Sequence, residues 1–160
     1  MAKISIIMGS QSDLETVNET INVLREFKVS FEAKILSAHR TPKEVVKYVE
    51  AAPKKGTKIF IAAAGMSAAL AGVVASHTTL PVIGIPIETK NLKGLDSLLS
   101  TVQMPPGIPV ACMAIGKAGA KNAALFALEI LGISDAQIRA KLINYKKQMR
   151  LKIKQIKIKI

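Results

Sequence analysis

A doubly wound α/β fold on a parallel five-stranded sheet is what this sequence predicts, and three observations predict it. Short β-rich runs alternate with helical patterns from the first residues to about position 131. The middle of the chain, Ile59 to Ile87, carries no Asp, Glu, Lys or Arg, as expected of parallel strands covered on both faces. No linker, repeat or low-complexity block interrupts the alternation before the tail, so the 160 residues read as a single domain, 1–160. Five strands, each followed by a helix, imply right-handed crossovers within one sheet.

The first strand is expected at Ile4–Met8, closed by Gly9 and Ser10. A helix over Asp13–Phe27 follows, where Ser12-Asp13-Leu14-Glu15 fits a capping box. The second strand, Phe31–Leu36, leads to a helix over Pro42–Ala52, and Thr41-Pro42-Lys43-Glu44 fits another box with Pro at N1. The uncharged stretch is long enough to span a membrane. It is interrupted by Gly65, Gly72, Pro81, Gly84 and Pro86, and much of the rest is alanine. It therefore divides into a strand at Lys58–Ala63, a buried helix at Ser67–Ser76 and a strand at Pro81–Ile85, and no membrane span is expected. A helix at Asp96–Val102, a strand at Pro109–Met113 and a helix at Lys121–Leu131 complete the pattern. From Ser134, the residues Ile138, Leu142, Tyr145, Met149, Ile153, Ile156 and Ile160 recur at mostly three- and four-residue steps. They predict an amphipathic C-terminal helix over 134–160 whose apolar stripe needs a surface, on its own domain or on a neighbouring subunit.

The formal net charge is +12, but nine Lys or Arg residues and no acid lie from Arg139 onward. Residues 1–138 hold fourteen bases against eleven acids. The basic character belongs to the tail, where it reads as a solvated helix face. Without Trp or a basic patch on the body, nucleic-acid binding is not expected. The single cysteine, Cys112, excludes an internal disulfide and suits a reducing compartment. Ile4–Met8 is too short for the apolar core of a signal peptide, so a cytoplasmic location is expected. Two distant histidines and one cysteine give no metal-ligand spacing, and no P-loop or dinucleotide fingerprint is present.

Ligands of such sheets bind beyond the carboxyl ends of the strands. After the first strand stand Gly9-Ser10-Gln11-Ser12-Asp13, a segment equally consistent with a tight turn and with a phosphate cradle at a helix start. Asp13 suits the first helical turn and could also accept hydrogen bonds from ribose hydroxyls. After the second strand, Ser37-Ala38-His39-Arg40-Thr41-Pro42 places a histidine and an arginine where packing requires neither. Arg40 is the sole arginine between Arg25 and Arg139, and its planar fork suits phosphate better than lysine does. Histidine gives and takes protons near neutral pH; the alternative for His39 is a strand-end imidazole bonded to backbone. His77, before Thr78-Thr79, reads as a helix C-terminal or surface residue. Gly65-Met66-Ser67-Ala68-Ala69 follows the third strand, and Ile115-Gly116-Lys117-Ala118-Gly119 the fifth.

Met8-Gly9-Ser10-Gln11-Ser12-Asp13, Ser37-Ala38-His39-Arg40-Thr41-Pro42 and Val102-Gln103-Met104-Pro105-Pro106-Gly107-Ile108-Pro109-Val110 together resemble the N5-carboxyaminoimidazole ribonucleotide mutases. Ala114-Ile115-Gly116 and Asn122-Ala123-Ala124-Leu125 extend the likeness over nearly the whole chain. The resemblance implies a three-layer flavodoxin-like fold, a homo-octamer, no cofactor, and a ribonucleotide and CO2 as the small-molecule partners. It implies His39 as the proton carrier. Gly9, Ser10, Ser12, Asp13, Ser37, Ala38 and Arg40 would bind the ribonucleotide, with Ser37 beside its phosphate. Ala64, Gly65, Ser67 and Leu70 would wall the reacting end, and Gln103–Pro109 would help build a neighbour's site. One loop departs from the pattern. Most mutases read Gly-Gly-Ala-Ala-His-Leu-Pro where this chain has Gly65-Met66-Ser67-Ala68-Ala69-Leu70-Ala71. Ser67 with Leu70 is similar to the related aminoimidazole ribonucleotide carboxylases, which take up free CO2. The Ser37–Pro42 and Gln103–Pro109 stretches favour the mutases; the carboxylase is the alternative, and a non-enzymatic nucleotide-binding module the further one.

Overall fold

The computed structural model describes residues 2–158. The chain divides into two compact units, Met1–Leu125 and Phe126–Ile160.

The first unit is built on five parallel strands: β1 (Ile4–Met8), β2 (Phe31–Ile35), β3 (Ile59–Ala64), β4 (Val82–Pro86) and β5 (Ala111–Cys112). Their order is β2-β1-β3-β4-β5. Ile4 pairs with Phe31 on one side and Ile59 on the other, and Ile61 pairs with Ile83. The helices are α1 (Leu14–Glu26), α2 (Pro42–Ala51), α3 (Leu70–Ser76), α4 (Leu95–Val102), α5 (Gly116–Gly132) and α6 (Ala136–Gln155).

Strand side chains alternate between faces, and here both faces are apolar. Ile7, Phe60, Ala62 and Val82 pack with Val45 and Val49 of α2 and Leu70, Ala71 and Val74 of α3. On β4 of that face, a Cβ at Gly84 would overlap the Thr101 methyl, so the glycine lets α4 lie close to the sheet. Ile4, Ile6, Ile61 and Ile83 point the other way and are wholly buried. Val17 and Leu24 of α1 and Ala120, Ala123 and Ala124 of α5 are buried too. The Thr20 hydroxyl donates to the Ala120 carbonyl at 2.7 Å, fastening α1 to α5. The unit is thus three layers with a parallel sheet in the middle, as expected.

Several boundaries differ from the expectation, each for a local reason. β5 begins at Ala111, because Pro109 has no N–H for the ladder. α5 begins at Gly116 rather than Lys121: a Cβ at Gly119 would collide with the Ala114 carbonyl, and its absence lets the helix start tight against the preceding loop. α3 begins at Leu70 rather than Ser67, because Met66 takes a left-handed conformation, φ 58°, that breaks the chain direction.

The two expected capping boxes also change. The reciprocal arrangement sits two residues earlier, on Ser10 and Asp13 around a 3-10 turn at Gln11–Asp13, not on Ser12 and Glu15. Thr41 is the N-cap of α2 with Pro42 behind it, but its side chain makes no cap hydrogen bond. Its hydroxyl oxygen accepts from the Ser37 N–H at 2.9 Å instead, tying the β2–α2 loop to itself.

In the second unit, Asp135 caps α6, its Oδ1 accepting from the N–H groups of Gln137 and Ile138 at 3.1 and 3.2 Å. Lys146 pairs with Glu129 at 2.7 Å. Among the described residues the expected stripe is buried only at Ile138 and Leu142; Met149, Ile153 and Ile156 are exposed. Ile160 lies outside the described residues. No helix among the described residues is long and apolar enough to cross a membrane.

Candidate active site

From β1 the chain steps to β2 on one side, and from β3 onward it proceeds on the other. This reversal leaves a crevice beyond the carboxyl ends of β1 and β3. There the Gly9 N–H donates to the Ala63 carbonyl at 3.0 Å, and a cleft of about 550 Å³ opens. Gly9, Ser10, Ser12 and Asp13 line it after β1, and Ser37, Ala38, His39 and Arg40 after β2. Ala64, Gly65, Met66, Ser67, Ala69 and Leu70 line it after β3, and Ile87, Glu88 and Thr89 after β4. The twelve residues to which the family resemblance gives catalytic and substrate-binding roles therefore all line one cleft.

The first turn is internally bonded. The Ser10 N–H donates to Asp13 Oδ2 at 3.0 Å, the Asp13 N–H to the Ser10 carbonyl at 3.2 Å, and the Ser12 N–H to Ser10 Oγ at 3.4 Å. These N–H groups are occupied, so what the turn shows a ligand is two hydroxyls and a carboxylate. That chemistry suits ribose hydroxyls better than a phosphate. Asp13 is only 6% exposed. Burial pushes its carboxyl up from the usual carboxylate value, against the lowering effects of the Ser10 N–H, the Ser12 hydroxyl and the charge of Arg40.

Arg40 bridges two strand ends. Its Nη2 donates to the Gly9 carbonyl at 2.7 Å and its Nε lies 3.4 Å from Ser37 Oγ. The same hydroxyl oxygen accepts from the Arg40 backbone N–H at 3.2 Å. The guanidinium is exposed and keeps N–H donors to spare, a geometry fit for an anion. His39 stands next to it, exposed at the cleft wall, and has no hydrogen-bond partner among the described residues. A backbone-bonded strand-end imidazole is therefore not what the fold builds. His77, by contrast, caps α3 and lies 3.4 Å from Glu50.

The third loop supplies apolar walls. Leu70 is 2% exposed and Ala64 and Ala69 are half-buried. A Cβ at Gly65 would come within 3.2 Å of the Thr89 methyl and 3.5 Å of Ile87, so the loop presses on the β4 end through a residue with no side chain.

The fourth loop was absent from the sequence reading and the fifth was included; the cleft uses the fourth. Ile115–Gly119 does not line it, because α5 starts at Gly116 and takes those residues into its first turn. Ile87, Glu88 and Thr89 do. They are held by α4: the Ser97 hydroxyl donates to the Ile87 carbonyl at 2.7 Å, and the Thr89 hydroxyl to Asp96 Oδ1 at 3.1 Å. Following every strand to its end, without exception, would have found them. The Gln103–Pro109 segment stays outside its own chain's cleft and is largely exposed.

Comparison with known proteins gives a consistent result. The chain matches the AIR carboxylase family over residues 3–152. It is 51% identical over 150 residues to the N5-carboxyaminoimidazole ribonucleotide mutase of Saccharolobus solfataricus, covering 94% of each chain. It is 53% identical over 150 residues to the N5-carboxyaminoimidazole ribonucleotide mutase of Pyrococcus abyssi, covering 94% of this chain and 85% of that protein. Among solved structures, Treponema denticola PurE superposes with a TM-score of 0.86 at 30% identity, over 94% of this chain and 92% of that one.

Proposed function

The chain belongs to the AIR carboxylase family, and on that premise we propose that it converts N5-carboxyaminoimidazole ribonucleotide to 4-carboxy-5-aminoimidazole ribonucleotide in purine biosynthesis. The observation that carries this reading is the meeting, in one cleft, of an imidazole with no hydrogen-bond partner among the described residues, an anchored guanidinium, a hydroxyl-carboxylate turn and a small apolar wall.

Each part has a task. Arg40 and Ser37 receive the phosphate; Ser10, Ser12 and Asp13 receive the ribose. The reacting ring then lies toward His39 and the Gly65–Leu70 loop. Protonated His39 gives its proton to the exocyclic nitrogen that carries the carboxyl group. The N–C bond breaks, releasing CO2 and leaving an aminoimidazole whose C4 is an enamine-like nucleophile. C4 attacks the same CO2, and His39, now neutral, removes the C4 proton and restores aromaticity. The proton count closes on one residue. CO2 carries no charge and offers few handles, so a small dry enclosure holds it better than charged side chains do. Ala64, Gly65, Ala69 and Leu70 supply close backbone approach and apolar surface. Keeping both fragments together replaces a bimolecular encounter with a positioned one.

We read the protein as a cytoplasmic homo-oligomer, an octamer as the family resemblance implies. Apolar residues left exposed on the single chain support assembly: Leu92 in the turn before α4, Leu95, Leu99 and Val102 along α4, and Met149 and Ile153 on α6. The exposed Gln103–Pro109 segment is available to a neighbour's cleft.

The test follows product formation by purified protein given N5-carboxyaminoimidazole ribonucleotide without ATP, beside a reaction given aminoimidazole ribonucleotide and bicarbonate. The reading expects efficient turnover in the first mixture. Turnover confined to the second would make the protein a carboxylase of free CO2.

A further inference from the structure

Met66 stands out in the third loop for three separate reasons. Its φ is 58°, a backbone conformation that glycine adopts freely and other residues rarely; Lys28 and Lys93 share it, but neither lines the cleft. Its side chain is apolar and the residue is 68% exposed. And it lines the same cleft as His39, whereas Leu70, on the same loop, is 2% exposed.

An apolar side chain exposed on the single chain, and on strained backbone, is doubly unfavourable while the cleft is empty. Both features persist where a ligand makes use of them, and strained residues gather at ligand clamps. The loop that carries Met66 cannot relax sideways: Gly65 is pressed against Thr89 and Ile87, and these are fastened to α4 through Asp96 and Ser97. The rotatable thioether chain, by contrast, can adjust to the surface beneath it.

We infer that Met66 is the covering residue of the cleft: its side chain folds over the bound nucleotide and keeps CO2 from escaping between decarboxylation and recarboxylation. This rests on the proposed mutase reaction and adds to it the element that retains the gas. The small apolar residues Ala64, Ala69 and Leu70 form walls, but none of them is exposed enough to close the mouth. If CO2 escapes after the N–C bond breaks, aminoimidazole ribonucleotide is left. Any later carboxylation at C4 then draws on dissolved CO2.

Two measurements test the inference. In the first, unlabelled N5-carboxyaminoimidazole ribonucleotide is converted in a buffer of 13C-bicarbonate with carbonic anhydrase, and the label in the product carboxyl is read by mass spectrometry. Wild type should give product with little label. Met66→Gly and Met66→Ala should raise the labelled fraction, and the released aminoimidazole ribonucleotide, several-fold, while Met66→Leu stays near wild type. Label unchanged in the glycine and alanine variants would overturn the inference. So would a Met66→Gly protein that melts well below wild type with label unchanged, since that would make the residue structural.

The second measurement does not need turnover. In protein carrying 13C-methyl methionine, with Met66→Leu identifying the resonance, the Met66 methyl is exposed to a soluble paramagnetic agent. Adding 4-carboxy-5-aminoimidazole ribonucleotide should shield it; a methyl as accessible with the nucleotide as without it would refute the covering role. A wild type that converts nothing would count against the mutase reading, and this second result would still decide whether Met66 covers the site.

Discussion

Replacing Arg40 by alanine isolates the group assigned to the phosphate. The guanidinium is exposed and its partners are local: the Gly9 carbonyl at 2.7 Å and Ser37 Oγ at 3.4 Å. Removing it leaves the half-exposed Gly9 carbonyl to water, so stability should change by no more than about 0.5 kcal/mol. Binding is another matter. A hydrogen bond to a charged partner contributes about 1.5–3 kcal/mol, and solvent exposure favours the lower half of that range. At about 1.4 kcal/mol per decade, nucleotide affinity should fall roughly tenfold to fortyfold. The phosphate assignment makes a sharper demand, which calorimetry can read. Titration with 4-carboxy-5-aminoimidazole ribonucleotide and with its dephosphorylated riboside gives the advantage conferred by the phosphate. That advantage should be large in wild type, nearly absent in Arg40→Ala, and intermediate in Arg40→Lys, which keeps the charge but not the fork. Equal weakening of both ligands by Arg40→Ala, or no weakening, would refute the reasoning.

Other outcomes follow from the same geometry. Asp13→Asn should bind the nucleotide more weakly yet fold as well as wild type or better at about pH 7. Burial raises the folded-state pKa of Asp13, so the folded protein holds this proton to higher pH than the unfolded chain does. Its contribution to stability therefore falls as pH rises through the two values. The variant's advantage in melting temperature should accordingly shrink on lowering pH to about 3, where both states are protonated; an advantage that grows there would contradict the sign. Gly119→Ala should lower stability by about 1–3 kcal/mol, since the new methyl meets the backbone of Ala114 rather than a side chain that can move. Thermal unfolding would show a drop of roughly 2–4 °C per kcal/mol; an unchanged midpoint would mean that the start of α5 yields more easily than its packing implies.

Much of the fold and cleft could be read in the sequence because the signals are local. β1, apolar except for Ser5, and β3, apolar throughout, end at Gly9 and Gly65 and are buried almost along their whole length. The His39–Arg40 pair was legible because it interrupts a strand-to-helix connection with chemistry that packing does not need. Features that depend on distant contacts were not legible. Periodicity alone says nothing of which strands meet; the β2-β1-β3-β4-β5 order follows only from the flavodoxin-like fold that the family resemblance implies. The Ile87–Thr89 wall was hidden because Ile87 closes the long uncharged run and reads as its end rather than as part of a loop. The capping signal near Ser12 was real but placed two residues late, because a short 3-10 turn precedes α1 and moves the cap to Ser10. The stripe on α6 was visible as a pattern, yet burial at Ile138 and Leu142 alone shows that an apolar period does not state how far a surface extends.

The central claim is that one exposed imidazole, beside the anchored arginine, carries the proton in both halves of the reaction. Rapid-quench single turnover of His39→Asn with N5-carboxyaminoimidazole ribonucleotide tests it most directly, with nucleotide binding measured on the same preparation. The account predicts binding close to wild type and no product carboxylated at C4. Product formed at a rate comparable to wild type would contradict it.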